Sequence, residues 1–475
     1  MAPHDIDARL VRALLAQDLA SFIIKTFATV DASSTFLPNW HITLIADHLT
    51  RAFTRDIKRL VITLPPRSLK SICASVAFPA WALGRNPALR VICASYGQDL
   101  AGKHARDCRT VMQSSWFSRV FPRSRLNPAK LAEHEFETLA GGYRLSTSVG
   151  GALTGRGGNI LIVDDPIKPL EAGSQPYRNT VKQWFDGTLL SRLDHKAHDV
   201  VILIMQRVHV DDLVAHVLEQ EGWTHLQLPA IALADESFPL LADGPWRGQR
   251  VGRRVGEALH PAREPLEVLA RVRAEIGTYV FDAQYQQTPV PVGGNLLQRA
   301  WFQVTPVGWV PGRGAPIVQS WDVAMTASNG SDWSVCTTWV IESGHYHLID
   351  VYRARLTFPQ VKRAVVQKRT EFAAQTVLIE DVGIGTGLIQ QLRAEREVHP
   401  IGLTPEGSKV DRMVAQSAKI EAGQVYLPAT APWLAEFMAE IAAFPNGRHD
   451  DQVDSLSQAL GWMSRPIGQP RIRRL

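Results

Sequence analysis

Apolar and polar positions along this chain alternate at two different periods, and the change of period marks its elements. The first forty residues keep apolar positions at helical spacing, and PNWHITLIADHLTRAFTRDIK continues as an amphipathic helix from about Ile42 to Ala52. Arg59 to Leu64, RLVITL, is a short β-branched apolar run stopped by Pro65 and Pro66, as in a strand buried on both faces. A helix, SICASVAFPAWAL, comes next. The runs ALRVICAS, NILIVDD and DVVILIMQ repeat the strand pattern, each followed by polar or helical sequence. This alternation predicts a parallel α/β sheet with crossover helices.

From about Ala230 to Gly314 the pattern dissolves into Pro, Gly and Arg, with one clear helix at about Pro265 to Glu275, and the domain junction is expected near Pro289 to Pro311. Then PIVQSWDVAM, WSVCTTWVI and HYHLIDVYR follow closely as an antiparallel meander. Helix TFPQVKRAVVQKRTEFA, strand TVLIED, helix GLIQQLRAERE and two further helices complete a second α/β domain. Three hairpinned strands followed by alternating α and β is the order of an RNase H-like fold. The expected limits are 1–288 for the first domain with its helical start and Arg-rich lid-like region, 289–314 for a linker, 315–466 for the second domain and 467–475 for a basic tail.

Composition narrows the class only slightly. With 475 residues, 45% hydrophobic and 20% charged, the chain is globular and long enough for two to four domains. Its four cysteines, Cys73, Cys93, Cys108 and Cys336, form no CxxC pair or zinc-ligand cluster, so buried reduced thiols are expected. No apolar run approaches the roughly 20 residues that span a bilayer, and the N-terminus has no uninterrupted signal core, which predicts a soluble, cytoplasmic protein without a membrane partner. A net charge of +5 mildly favours a polyanionic partner.

The chemistry lies at strand ends. LPPRSLKS, Leu64 to Ser71, stands between an apolar strand and a helix, where a phosphate loop belongs. Lys70 would meet the β and γ phosphates of ATP and the Ser71 hydroxyl would ligate Mg²⁺, with Pro66, Arg67, Ser68 and Leu69 forming the loop around the nucleotide. Both loop glycines are replaced, by Leu64 and Leu69, so a plain turn before a capped helix is the competing reading. NILIVDDPIK supplies the partner. Asp164, at the strand end, would hold Mg²⁺ through water, and Asp165 would orient and deprotonate the attacking water, although a strand closed by an Asx-Pro turn has the same letters. Gln206 and Arg207, at the end of VVILIMQRVH, would sense the γ phosphate.

In the second domain Asp322, in SWDVAM, and Glu380 with Asp381, in VLIED, fall at strand ends facing one sheet edge. Asp450 or Asp451 opens the helix of HDDQVDSLSQAL and Asp454 lies one turn on. Carboxylates converging from two strands and a helix suit two Mg²⁺ or Mn²⁺ ions that activate a water and stabilise the leaving oxygen of a phosphodiester. Helix capping by Asp450 and Asp451, a solvated Asp454 and a turn at Asp322 are the bland alternatives. The glycines of VGIGTGL, Gly383, Gly385 and Gly387, miss dinucleotide-loop spacing and read as a tight turn beside Glu380. Arg250, Arg253, Arg254, Arg263, Arg271 and Arg273 form either a DNA path or a solvated basic face.

PNWHITLIADHL, LVITLPPRSLKS, ASYGQDLAGKHARDCR, GALTGRGGNILIVDDPIK and MQRVHVDDLVAHVL resemble the successive ATPase motifs of phage terminase large subunits over most of residues 35 to 220. SWDVAM with the following SDWSV, IEDVGIGTGLI and HDDQVDSLSQAL resemble the three motifs of their nuclease domains. The resemblance implies an ASCE-type P-loop ATPase followed by an RNase H-like nuclease. It implies ATP-driven translocation of double-stranded viral DNA into a procapsid and endonucleolytic cutting of the concatemer. The implied partners are a portal, a small terminase subunit and further copies in a ring. It assigns Arg67 to γ-phosphate stabilisation, places Trp40 and His41 in the segment contacting the base, and makes Arg156 a candidate arginine finger. It also singles out Asp322, Glu380 and Asp451 as principal metal ligands, with Asp381, Asp450 and Asp454 as alternates or supporting groups, Asp332 as a weaker candidate, and His449 orienting a ligand or contacting phosphate. Two positions depart from the family pattern: Leu69 stands for Gly, and Gln206 to His209 stand for Thr-Arg-Trp-His. The rival functions are a transposase or repair-type nuclease with a regulatory ATPase, and a DNA-binding assembly factor that no longer hydrolyses ATP.

Overall fold

The computed structural model describes residues 3–151, 153, 155–290, 296–324, 333–447 and 449–464; Asp332 and the expected basic tail lie outside them. The chain divides into two compact units, one of Met1–Arg271 with Val280–Val290, the other of Val272–Tyr279 with Pro291–Leu475.

In the first unit the strands are β1 (Arg59–Thr63), β2 (Arg90–Ser95), β3 (Leu126–Leu131), β4 (Glu135–Thr138), β5 (Tyr143–Ser148), β6 (Ile160–Asp164), β7 (Val200–Met205) and β8 (Thr224–Gln227). They form one sheet in the order β3-β4-β5-β2-β6-β7-β1-β8, parallel from β5 to β8 and antiparallel at the β3-β4-β5 edge. The sequence pattern finds β1, β2, β6 and β7 because they are continuous apolar runs, buried along almost their whole length. It misses β3, which is largely exposed and carries Pro128 at the sheet edge. Within each central strand the residues alternate between two cores. Leu60, Ile62, Val91, Ile160, Ile162, Ile202 and Ile204 pack on one face, and Val61, Ile92, Leu161, Val163, Val201 and Leu203 on the other.

The helix after β1 is not regular. Residues Ile72–Ala77 wind as wide i→i+5 turns before Phe78–Arg85 continues as α-helix. Pro79 lacks the N–H that would donate to the Ser75 carbonyl four residues back, and the fully buried Arg144 of β5 donates to that carbonyl instead, at 3.0 Å. The four cysteines are buried and free. Among the described residues no single helix is long and apolar enough to cross a membrane.

The Arg-rich stretch holds more structure than the sequence predicts. Strands β9 (Glu236–Pro239) and β10 (Arg250–Arg253) form a hairpin, and a second helix, Thr278–Gln284, follows Leu266–Ile276. Arg253 does not line a DNA path. It is buried, pairs with Glu236 at 2.8 Å, and donates to the carbonyls of Pro229, Ala230 and Glu257. Arg250 donates to Ser237.

The second unit contains β11 (Gln303–Val304), β12 (Ile317–Asp322), β13 (Ser334–Glu342), β14 (His345–Ala354), β15 (Thr376–Glu380), β16 (Ile401–Leu403) and β17 (Val425–Leu427), in the sheet order β11-β17-β14-β13-β12-β15-β16. The meander β12-β13-β14 is antiparallel as expected, and β15 joins β12 in parallel. Three helices, not two, follow Ile384–Glu395: Lys409–Glu421, Leu434–Ala443 and Asp451–Met463. Part of the stretch expected to be a linker belongs to this unit, since Leu296, Leu297 and Phe302 are buried in its core and β11 pairs with β17. Helix Asp451–Met463 lies on β12 and β13, fixed by a buried polar seam. Ser455 Oγ donates to the Ser320 carbonyl at 2.8 Å and lies 2.8 Å from Thr337 Oγ1, and Gln458 donates to Ser320 Oγ at 2.9 Å.

The anchoring of Arg253 predicts that Arg253→Ala lowers the unfolding free energy by about 3 kcal/mol, because Glu236 is left without its cation. Arg254→Ala, whose side chain is exposed, should stay within about 0.5 kcal/mol; urea titration of both variants checks this.

Candidate functional site

Parallel strands that are apolar along both faces leave polar side chains room only at their ends. Thr63, Asp164 and Met205 close β1, β6 and β7 at the same sheet edge, and β7 lies between β1 and β6. The loop after β1 therefore comes back over the ends of β6 and β7. Lys70 Nζ lies 3.0 Å from Asp165 Oδ2 and donates to Gln206 Oε1 at 3.2 Å. The Gln206 backbone N–H donates to Asp165 Oδ1 at 3.2 Å. Ser71 donates to Asp164 Oδ1 at 3.2 Å and Ser75 to Asp164 Oδ2 at 2.7 Å, while His104 Nδ1 stands 3.6 Å from the same carboxylate. The loop reaches this geometry without glycine. Arg67, Leu69 and Asp165 all take left-handed backbone angles, with φ of 57°, 61° and 45°, which is uncommon for side-chain-bearing residues and concentrates strain at the site.

Burial sets the electrostatics. It raises the pKa of Asp164, against hydrogen bonds from Ser75 and Ser71 and the charge of Lys70, and it raises that of Asp165 against Lys70. It lowers His104 to about 4, aided by Arg144, so the imidazole beside Asp164 is neutral. Ser75, His104 and Arg144 are the residues that sequence reasoning missed here. A histidine in an amphipathic helix and an arginine in a strand carry no signal until the fold sets them behind Asp164.

The remaining expected members make contacts of their own. Arg207 is held by Asp212 through two hydrogen bonds at 2.8 and 3.0 Å and by the His209 carbonyl, so it anchors its own loop. Arg156 lies over Tyr143 at the start of β5 and pairs with Glu135 at 2.7 Å, at the opposite sheet edge from Lys70; it cannot serve this chain's own nucleotide site. The Arg67 side chain is exposed, and its carbonyl accepts from Arg263. Pro66 is half-buried beside the buried Ser68. Trp40 stacks on Phe238 of the hairpin, with ring centroids 6.1 Å apart. His41 is buried against His260, and burial followed by the charge of His260 lowers it to about 3.

In the second unit Asp322 closes β12 and Glu380 closes β15, its parallel neighbour. The polar seam brings the first turn of helix Asp451–Met463 to the same edge. Asp322 has its pKa raised well above the carboxylate range, first by burial and then by Asp454, Glu380 and Asp451. Glu380 is raised by burial against the pull of Arg412. Two basic side chains enter this pocket from helix Lys409–Glu421. Lys409 Nζ lies 2.7 Å from Asp450 Oδ1 and 2.6 Å from Asp454 Oδ2, and Arg412 Nη2 lies 2.7 Å from Asp454 Oδ1 and 4.0 Å from Glu380 Oε2. His449 Nδ1 is 4.0 Å from Asp451 Oδ2. Asp381 Oδ1 accepts from Thr386 at 2.7 Å. Among the described residues no three acidic, imidazole or thiol groups form a ready ion cage. The donor set, all carboxylate oxygen, nevertheless suits magnesium or manganese. Lys409 and Arg412 also escaped sequence reasoning, since a basic residue at a helix start reads as a solvated face.

The glycines beside Glu380 have the expected role in part. Gly383 has φ of 57°, and a Cβ on Gly385 would lie 1.9 Å from the Glu380 carbonyl oxygen, whereas one on Gly387 would meet nothing within 4 Å. Nearby, Val335 pairs in register with both Asp322 and Arg353, so these side chains share one sheet face, and Arg353 and Arg355 flank the Trp333 ring at 4.5 and 4.4 Å.

An α/β sheet with a lysine loop over two strand-end acids, in one chain with a meander-first domain that gathers carboxylates, defines a P-loop ATPase fold joined to an RNase H-like domain. Comparison agrees. Residues 319–461 match the family model described as terminase RNaseH-like domain. The large terminase of a thermophilic bacteriophage is similar in structure, with a TM-score of 0.50 at 11% identity, covering 87% of this chain and 98% of that one. The HK97 bacteriophage large terminase covers 94% of this chain and 99% of its own with a TM-score of 0.36 at 11% identity. The magnesium-bound large terminase nuclease of thermophilic phage G20c covers 36% of this chain and 95% of its own, at 18% identity and a TM-score of 0.28. No curated protein sequence matches. The chain has the fold of a phage large terminase.

Two outcomes follow. Gly385→Ala should destabilise the second unit by about 1 to 3 kcal/mol through its clash with the Glu380 carbonyl, while Gly387→Ala, in open space on the same helix, should stabilise it by about 0.5 to 1 kcal/mol; thermal melts of the two variants decide. His41 has a folded pKa of about 3, below its unfolded value of about 6.5. Its share of stability is therefore complete above pH 6.5 and is lost as pH falls toward 3. Between pH 6.5 and pH 5 the wild type should lose about 2 kcal/mol more than His41→Gln, read from urea titrations at each pH.

Proposed function

We propose that this chain is a DNA-packaging motor subunit with an ATPase unit and a metal-dependent endonuclease unit. The reading rests most heavily on Lys70, which bridges Asp165 and Gln206 across the ends of adjacent strands. A lysine held on the prospective base is a resting arrangement. ATP, by drawing the ammonium onto its β and γ phosphates, leaves Asp165 to accept a proton from water. The water oxygen then bonds to the γ phosphorus as the bond to the β-phosphate oxygen breaks, giving ADP and phosphate. Ser71 and Asp164 would hold Mg²⁺, which neutralises charge on the phosphates. Gln206 touches both Lys70 and Asp165, so it registers the departure of either. The intact lysine and acid pair disfavours an assembly factor without hydrolysis.

In the second unit Asp322, Glu380, Asp451 and Asp454 would hold two Mg²⁺ or Mn²⁺ ions, which supply an activated water and a stabilised leaving oxygen at a phosphodiester. Arg355 and Trp333 present a basic and an aromatic group near Asp322, the type of surface a DNA strand takes, while Arg353 beside them is held by Glu436 and Glu440. In this reading double-stranded DNA is the substrate of both units. The chain works as a ring on a portal in the host cytoplasm, with a small terminase subunit selecting the genome.

Lys70→Ala and Asp165→Asn should each lower DNA-stimulated ATP turnover at least about 100-fold while plasmid cleavage in Mn²⁺ persists, and Asp322→Asn should do the reverse. Unchanged turnover in both ATPase variants would remove the motor reading, and undiminished cleavage by Asp322→Asn the nuclease reading.

A further inference from the structure

The acidic pocket of the second unit already contains two cations of its own. Lys409 and Arg412 are three residues apart on one helix, so both reach the pocket from the same face. Their helix is pinned at its start by a reciprocal cap in which Ser408 Oγ accepts from the Asp411 N–H and Asp411 accepts from the Ser408 N–H, both at 3.1 Å. The placement of Lys409, the first helical residue, is thus built into the fold. Each oxygen of the buried Asp454 is taken by one of these cations, Oδ2 by Lys409 and Oδ1 by Arg412, and Asp450 and Glu380 are each engaged by one as well.

The charges show what this means for a divalent ion. Five carboxylates, of Asp322, Glu380, Asp450, Asp451 and Asp454, face two side-chain cations. Two divalent ions would bring four more positive charges, giving six against five if the side chains stayed. An ion on Asp454 would share both of its oxygens with these cations and meet their repulsion at contact range. We propose that Lys409 and Arg412 are resident counter-cations of the nuclease pocket, which divalent ions must displace, and that they thereby set the metal concentration at which the pocket loads. The proposal rests on the two-metal reading above and concerns ion binding, upstream of cleavage. Its physical content is electrostatic competition for the same carboxylates, so removing either cation should tighten ion binding, where the loss of a merely structural ion pair would weaken it.

Calorimetric titration of Mn²⁺ into the nucleotide-free full chain tests this, with Asp322→Asn as the reference that removes the pocket. Lys409→Met and Arg412→Met should each bind Mn²⁺ at least about fivefold more tightly than the wild type, the low end of a usual coupling between competing ligands. Acetylation of Lys409 by an amine reagent, read by mass spectrometry on the unmutated chain, should rise when Mn²⁺ saturates the pocket; this arm needs no variant to fold. Equal or weaker binding in both variants, or Lys409 labelling that stays constant or falls on Mn²⁺ binding, would overturn the displacement while leaving the nuclease reading in place. Mn²⁺ binding by Asp322→Asn equal to that of the wild type would instead overturn the pocket itself, and this inference with it.

Discussion

Strands buried on both faces carry an unpaired charge only at great cost except at their ends, and the placement of acids in both halves of this protein follows from that constraint. A lone carboxylate inside the sheet would cost several kcal/mol to desolvate. Asp164 and Gln206 in the first unit, and Asp322 and Glu380 in the second, therefore lie at or just beyond strand termini. Parallel pairing then aligns those termini. Because β6 and β7 run the same way, as do β12 and β15, residues far apart in sequence arrive at one edge together. Chemistry is gathered by the same hydrophobic burial that makes the sheets.

What approaches those edges is fixed by polar contacts inside the fold. In the first unit Pro79 frees the Ser75 carbonyl, Arg144 binds it, and Ser75 in turn holds Asp164. A helix interruption, a buried cation and a strand-end acid thus form one continuous set of contacts. In the second unit Ser455, Thr337 and Ser320 register the helix on the sheet, so that Asp451 and Asp454 face Asp322 and not solvent. A buried polar seam tolerates only the register that satisfies it, because any shift leaves hydroxyls and carbonyls unpaired.

Both sites also share a resting state in which basic side chains occupy the acids. Lys70 sits on Asp165, and Lys409 with Arg412 on Asp454. Clustered carboxylates repel one another, and in each pocket an internal cation relieves the repulsion. The strained loop serves the same arrangement. Arg67 and Leu69 hold left-handed angles that glycine would take without strain, and this brings Lys70 back over the sheet edge.

The central strands, the meander, the lysine loop and the strand-end acids were all legible in the sequence, because continuous apolar runs and the residues that stop them are local signals. The edge strand β3, the β9–β10 hairpin and helix Thr278–Gln284 were not, since their apolar content is thin and their stability comes from neighbours. The roles of individual charges were beyond it too. Arg253 reads as part of a DNA path or a solvated face and is a buried anchor; Arg207 reads as a sensor and is locked to Asp212. Lys409 and Arg412 carried no signal in the sequence and stand inside the pocket. Sequence by itself determined where the acids end each strand. Only the tertiary structure decided which cation each acid meets, because an ion pair depends on distances of a few ångströms between elements that no local pattern encodes.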